Sequence, residues 1–193
     1  MTILPIRLLG DPVLREPCRD VESFDRSLRT LYDDMLETMY EAPGVGLAAP
    51  QVGLSLRFFV YDGEKGSGAG GVANPVIVEA EGELQEEEGC LSIPELWAPA
   101  ARAKRVVLRG LDLRGKAVEL EGEDLLARIF QHETDHLNGT LFIDRLDRED
   151  RKQMMAKLRD RELSGHAAAR SRETGPGRGP RGRTGPSRPA RGE

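Results

Sequence analysis

Leu163 is the last large apolar residue of this 193-residue chain, because no valine, isoleucine, leucine, methionine or aromatic residue follows it. Residues 164–193 hold seven arginines, seven glycines and four prolines, with Glu173 and Glu193 as their only acids. A segment with nothing to bury cannot offset the conformational entropy lost on ordering. Any hydrophobic core must therefore come from residues 1–163, a length that suits one domain. The formal net charge of −5 averages two unlike parts. Residues 1–163 carry 21 Lys+Arg against 31 Asp+Glu, whereas the tail carries seven arginines against two acids. The expectation is an acidic folded domain over 1–163 and a disordered basic tail over 164–193. Arginine–phosphate attraction would let such a tail contact RNA, ribosomal RNA included, but without aromatic residues on which bases could stack it reads first as a solvated tail with no fixed partner.

Two cysteines, Cys18 and Cys90, cannot build a disulfide framework, which points to a reducing compartment and so to the cytoplasm. No apolar run approaches the roughly 18–20 residues that cross a bilayer. The opening Met1-Thr2-Ile3-Leu4-Pro5-Ile6-Arg7 has neither a basic leader nor a long apolar stretch, so no secretory signal is expected.

Periodicity divides the first 163 residues. Leu28, Leu31, Met35 and Met39 recur at helical spacing between a capping Asp25 and the stop Pro43-Gly44, predicting a helix over 24–42. Residues 56–62 read as a strand, 63–71 as a Gly-rich loop, and 76–78 and 105–109 as short strands with turns at Gly82 and Arg114-Gly115. A second helix is predicted over 124–137, capped by Asp124 and stopped by Asn138-Gly139. A third follows over 147–163. Strands lie between helical ends without strand–helix alternation, which is an α+β pattern rather than a doubly wound sheet.

The second helix carries His132-Glu133-Thr134-Asp135-His136. Residues four apart on a helix share a face about one turn apart, so the two imidazoles can hold one metal ion. Glu133 stands where its carboxylate can reach a water on that ion. A catalytic site of this kind needs a third protein ligand and an open position. His166 falls in the tail, which leaves Cys90, within Glu87-Glu88-Gly89-Cys90-Leu91-Ser92, as the better candidate and as the start of a short extended run. Read alone, Cys90 is first a buried structural thiol and only second a ligand, and Cys18 is read as structural. A thiolate would favour Fe(II), Zn(II), Ni(II) or Co(II) over Mg(II) or Ca(II). A further string, Gly44-Val45-Gly46-Leu47-Ala48-Ala49-Pro50-Gln51, suggests a tight turn or a backbone lying against another chain. It has neither phosphate-loop nor dinucleotide-binding spacing, and Gln51 offers an amide that can stabilise an oxyanion.

Taken in order, the strings Gly44 to Gln51, Glu88 to Ser92 and Gln131 to Leu137 resemble the peptide deformylase family, and the similarity runs from about Ile3 to Leu163. The resemblance implies small mixed or antiparallel β-sheets packed around a central His-Glu-x-x-His helix, with helices at both ends. It implies removal of the N-formyl group from formyl-methionine on nascent proteins. Cys90, His132 and His136 would bind one divalent metal, Fe(II) in the family, with Zn(II), Ni(II) or Co(II) as substitutes. Metal-activated water would attack the formyl carbon while Glu133 takes the proton and passes it to the leaving amine. The Gln51 amide and the Leu91 N–H would hold the oxyanion. Val45, Leu125 and Ile129 would line the methionine pocket, and the peptide would pair with Val45-Gly46 and Gly89 as an added strand. A Glu88–Arg102 ion pair would support the Cys90 strand. A monomer is expected, with ribosome contact through the C-terminal helix or the basic tail.

Two other readings use the same residues. A metalloprotease of the His-Glu-x-x-His class would want a third His or Glu ligand downstream, where Ala156 stands. A non-catalytic metal protein would want four closed ligands, and three are visible.

Overall fold

The computed structural model describes residues 2–63 and 68–173, with side chains described up to residue 161. The chain divides into two compact units, Met1–Met154 and Met155–Glu193. In the first, helix α1 (Arg26–Glu41) is followed by strands β1 (Gly46–Ala48), β2 (Phe58–Tyr61), β3 (Gly70–Glu81), β4 (Leu84–Cys90), β5 (Ile93–Arg102), β6 (Arg105–Leu111) and β7 (Ala117–Glu123), then by helix α2 (Asp124–Leu137). Helix α3 spans Arg148–Glu173. Among the described residues no helix is long and apolar enough to cross a membrane.

Five strands form one antiparallel sheet in the order β1-β2-β3-β6-β7, while β4 and β5 make a separate antiparallel hairpin. Alternation along β2 divides the core. Phe58 and Val60 pack with Leu28, Met35 and Met39 of α1, whereas Phe59 packs with Ala127, Phe130 and Leu137 of α2. The α+β architecture with α2 at its centre agrees with the expectation.

Asp25 caps α1 by accepting from the Ser27 N–H at 2.8 Å, as its short carboxylate before an apolar-periodic run suggests. Asp124 does not cap α2. It is the first helical residue, with φ of +47°, and Glu123 occupies the cap position without a side-chain bond. The helix ends as read, at Gly139 with φ of +72°.

Three other expectations are revised. Gly70 and Gly71 belong to β3, paired with Tyr61 and Val60 of β2, rather than to a loop over 63–71, and a Cβ at either would meet the rings of Tyr61 or Tyr32. Of that loop, residues 64–67 lie outside the described residues. Cys90 ends β4 rather than beginning an extended run. The backbone of α3 continues through Glu173, past Leu163, over Ala167-Ala168-Ala169, which are strong helix formers needing no buried face. The remaining tail, 174–193, lies outside the described residues.

A 3-10 turn at Phe142–Asp144 is pinned by the Asp144 carboxylate, which accepts from Arg15, from the Leu141 N–H at 3.0 Å and from Arg151 at 3.2 Å. Burial alone would raise the Asp144 carboxyl, but Arg15, the Leu141 N–H and Arg151 hold it below its ordinary 3.8. A depressed folded-state value gives stability that is present above 3.8 and lost as pH falls through the lower folded value. Asp144→Asn is therefore expected to lower the denaturation midpoint at pH 6. The gap to wild type should close below about pH 3.8, and a gap of equal size at pH 6 and pH 3 would contradict this role.

Candidate metal centre

Helix α2 puts its apolar residues Ala127, Phe130 and Leu137 into the core, presents His132 and His136 to the hairpin β4–β5, and sets Glu133 against β1. All three polar side chains are buried, although the helix is only 14 residues long. Such burial needs partners. The Nε2 atoms of His132 and His136 stand 3.2 Å apart, and Cys90 Sγ lies 3.3 Å from His136 Nε2. Among the described residues this trio is the one cluster whose ligand atoms converge for a metal, all within 4.8 Å.

The donor set fits a divalent ion. Two bonds of about 2.0–2.3 Å meeting at a tetrahedral angle separate their donor atoms by about 3.3–3.6 Å, close to the spacings seen. His132 Nδ1 faces Glu88 Oε1 at 2.6 Å. When that nitrogen carries the proton, the Nε2 lone pair points into the cluster. Burial pushes His136 well below the ordinary histidine range, leaving the neutral imidazole that ligates metals. Two nitrogens and a sulfur this close turn their lone pairs toward one point, where a cation would satisfy all three.

Glu133 is placed differently. Its Oε2 is buried without a hydrogen-bond partner, and burial pushes its carboxyl up to about 7, against the pull of the nearby His132. The side chain is packed against Gly46 of β1, where a Cβ would sit 2.8 Å from Glu133 Cδ. That contact explains one of the two glycines in the Gly44 to Gln51 string. The other, Gly44, makes room for Leu91, 2.8 Å from where its Cβ would lie.

Gln51 is 1% exposed and held from both ends. Its Oε1 accepts from the Ala48 N–H at 2.8 Å, and its Nε2 donates to Ser92 Oγ at 3.2 Å and lies 3.6 Å from Cys90 Sγ. Leu91 occupies the turn between β4 and β5. A cleft of about 520 Å³ opens over these groups. It brings together Val45, Gly46, Gln51, Gly89, Cys90, Leu91, Leu125, Ile129, His132 and Glu133 from three separate stretches of sequence. Ile129 is buried at its base, while Leu125 stands 45% exposed at its mouth.

The Glu88–Arg102 pair is present and buried, with Arg102 donating from Nε at 3.0 Å and from Nη2 at 2.6 Å. Burial alone would raise the Glu88 carboxyl, yet the bonds from His132 and Arg102 hold it down at about 2. Arg128, which the sequence did not single out, donates to the Glu87 carbonyl at 2.9 Å and so ties α2 to β4.

The sequence matches the polypeptide deformylase family model over residues 3–152. It is 52% identical over 179 residues to a peptide deformylase of Acidothermus cellulolyticus, covering 93% of this chain and 98% of that one. The fold superimposes on a peptide deformylase from Legionella pneumophila with a TM-score of 0.78 at 46% identity, covering 86% of this chain and 98% of the other. It superimposes equally on a peptide deformylase from Synechococcus elongatus in complex with actinonin, with a TM-score of 0.77 at 40% identity, covering 82% and 89%. With motif order, fold and residue placement in agreement, the chain belongs to the polypeptide deformylase family.

Proposed function

We propose that this chain, a metal-dependent hydrolase, removes the formyl group from the N-terminal formyl-methionine of newly synthesised proteins at the cleft over Cys90, His132, Glu133 and His136. The observation that carries the reading is the pairing of three convergent buried donors with a buried carboxylate oxygen that has no partner, at the base of a cleft open to peptide. A divalent cation held by Cys90, His132 and His136 supplies, when bound, acidity that makes water nucleophilic near neutral pH and charge that favours an oxyanion. Glu133 takes the proton of the attacking water at its free Oε2 and delivers it to the leaving amine. Gln51 Nε2 and the Leu91 N–H donate to the oxyanion, with Ser92 keeping the amide turned toward Cys90. Formate and a peptide with a free amino terminus are the products.

Val45, Leu125 and Ile129 form the apolar walls for the methionine side chain. β1 is the edge strand of its sheet, so its outer side at Val45-Gly46 accepts a peptide strand that also meets Gly89 across the cleft. Fe(II) is the proposed occupant, with Zn(II), Ni(II) and Co(II) as substitutes, because one thiolate and two imidazoles suit borderline metals. Cys90 serves only while reduced, which favours the cytoplasm. Every group in the scheme comes from one chain, so a monomer suffices. Residues 164–193, as a basic appendage of a 1–163 domain, and helix α3 are the proposed routes of contact with the ribosome. Neither a metalloprotease nor a closed structural site suits this arrangement: the third donor is the upstream Cys90, and the Glu133 carboxylate is left free.

The test is formate release from a formyl-Met-Ala peptide by anaerobically prepared, Fe(II)-loaded chain. Formate and the free-amine peptide are expected, and cleavage at an internal bond or no release contradicts the assignment. Binding has its own signal. Trp97 is the single tryptophan of the chain and 62% exposed, and its ring lies over Gly89, 2.7 Å from where a Cβ would be. A non-hydrolysable Met-Ala-Ser hydroxamate pairing with Gly89 is expected to cover that ring and shift its emission to the blue. Inhibition of formate release without any change in emission would place the peptide elsewhere.

A further inference from the structure

A line of buried charges leads from His132 away from the cleft, through the hairpin and back to α2 almost one turn further along. Glu88 Oε1 faces His132 Nδ1 and also accepts from Arg102 Nη2. Arg102, across the hairpin on β5, reaches with its other terminal nitrogen to Asp135 Oδ2 at 2.6 Å. Asp135 lies three residues after His132 on α2. Its carboxylate is gripped from the far side by Arg145, from Nε to Oδ2 at 3.1 Å and from Nη2 to Oδ1 at 2.6 Å. Arg145 directly follows the 3-10 turn at Phe142–Asp144, and Phe142 itself stacks against the His132 ring, centroids 6.2 Å apart.

Charge explains why the line needs its outer member. The Glu88 and Arg102 side chains are each 3% exposed and the Asp135 side chain 9%, whereas that of Arg145 is 50% exposed. With Arg145 in place, two guanidinium groups face two carboxylates. Without it, two buried carboxylates share the single cation of Arg102, and Asp135 competes with Glu88 for it. A bidentate guanidinium fixes the plane of a carboxylate as well as its charge, which a lysine ammonium does not. The carboxylate behind a ligating histidine sets the tautomer and the aim of the ring.

We propose that Arg145 is a positioning residue of the metal site, acting through Asp135, Arg102 and Glu88 on the aim of His132. The inference rests on the reading of Cys90, His132 and His136 as metal ligands. It is tested on the full chain loaded with Co(II), by following release of the ion to a chelator together with the thiolate and visible absorption bands. Arg145→Met is expected to release Co(II) about tenfold faster, the lower end of the effect of removing a partner behind a ligating histidine. Its visible band should shift, while KM for the formyl peptide stays near the wild-type value. Arg145→Lys should be intermediate. Asp135→Asn added to Arg145→Met should recover slow release, because Arg102 then has Glu88 as its one carboxylate. Restored fold stability in the double variant with Co(II) release still fast would mark a merely structural role and overturn the proposal. Wild-type release and bands in Arg145→Met, or a double variant no better than the single, overturn the proposal. If Arg145→Met does not fold, Arg145→Lys carries the same comparison, and wild-type behaviour there overturns it. Failure of the wild-type chain itself to take up Co(II) contradicts the ligand set, and the role of Arg145 with it.

Discussion

Glu133→Ala is expected to cut kcat for formate release by about 10²–10⁴-fold, the usual loss on removing a positioned proton-transfer group. Metal content and KM should stay near wild type. The expectation follows from what the carboxylate touches. It is not one of the three converging donors, so the ion keeps its ligands without it. Its Oε2 is buried and has no partner, so no structural bond is lost. Glu133→Gln keeps the volume and hydrogen-bonding shape but cannot take a proton, and should lose as much activity as the alanine variant. Metal analysis beside single-turnover formate release checks both statements. Near-normal turnover in Glu133→Gln would remove Glu133 from proton transfer.

Gly46→Ala is expected to lower kcat by about 10²-fold, the order that follows from misplacing a catalytic group by about 1 Å. A Cβ at residue 46 would fall inside contact distance of both Glu133 Oε1 and Cδ. Neither backbone yields easily. Gly46 pairs with Tyr61 in the ladder between β1 and β2, and Glu133 lies on a helix packed into the core. The carboxylate must therefore swing off its position over the donor cluster. Adding Glu133→Asp, which shortens the side chain by one methylene, should relieve the clash and recover part of the loss. Kinetics of the single and double variants check this. A Gly46→Ala variant as active as wild type would mean that the carboxylate is free to move, and that its packing against β1 is irrelevant to turnover.

The sequence makes some of this architecture legible and hides the rest for identifiable reasons. Helix α2 is readable to both ends, since its apolar face is periodic and Gly139 takes the positive φ that ends a helix. The hairpin β4–β5 is not readable. Gln85-Glu86-Glu87-Glu88 has low strand propensity, and Pro94 and Pro99 sit in its partner strand. Its stability lies in contacts invisible locally, such as Glu88 turned inward onto Arg102 and Arg128 reaching across to Glu86 and Glu87. The same applies to the site. The His132–His136 pair is announced by its spacing, whereas Cys90, which its local sequence leaves open as a structural thiol, is brought to the imidazoles only by the hairpin folded onto α2. Asp135 stands inside the most conspicuous string of the sequence, yet nothing local connects it to Arg102 or Arg145. Long-range charge pairing has no periodicity to read.

The central claim is that one divalent ion, held by Cys90, His132 and His136, makes this chain a deformylase. Its most direct test is anaerobic titration of metal-stripped chain with Fe(II), measuring formate release from formyl-Met-Ala at each addition. No release is expected from the stripped chain, then a linear rise and a plateau at one equivalent, with Cys90→Ser failing to reach it. Release by the stripped chain, or full release by Cys90→Ser at one equivalent, would contradict it.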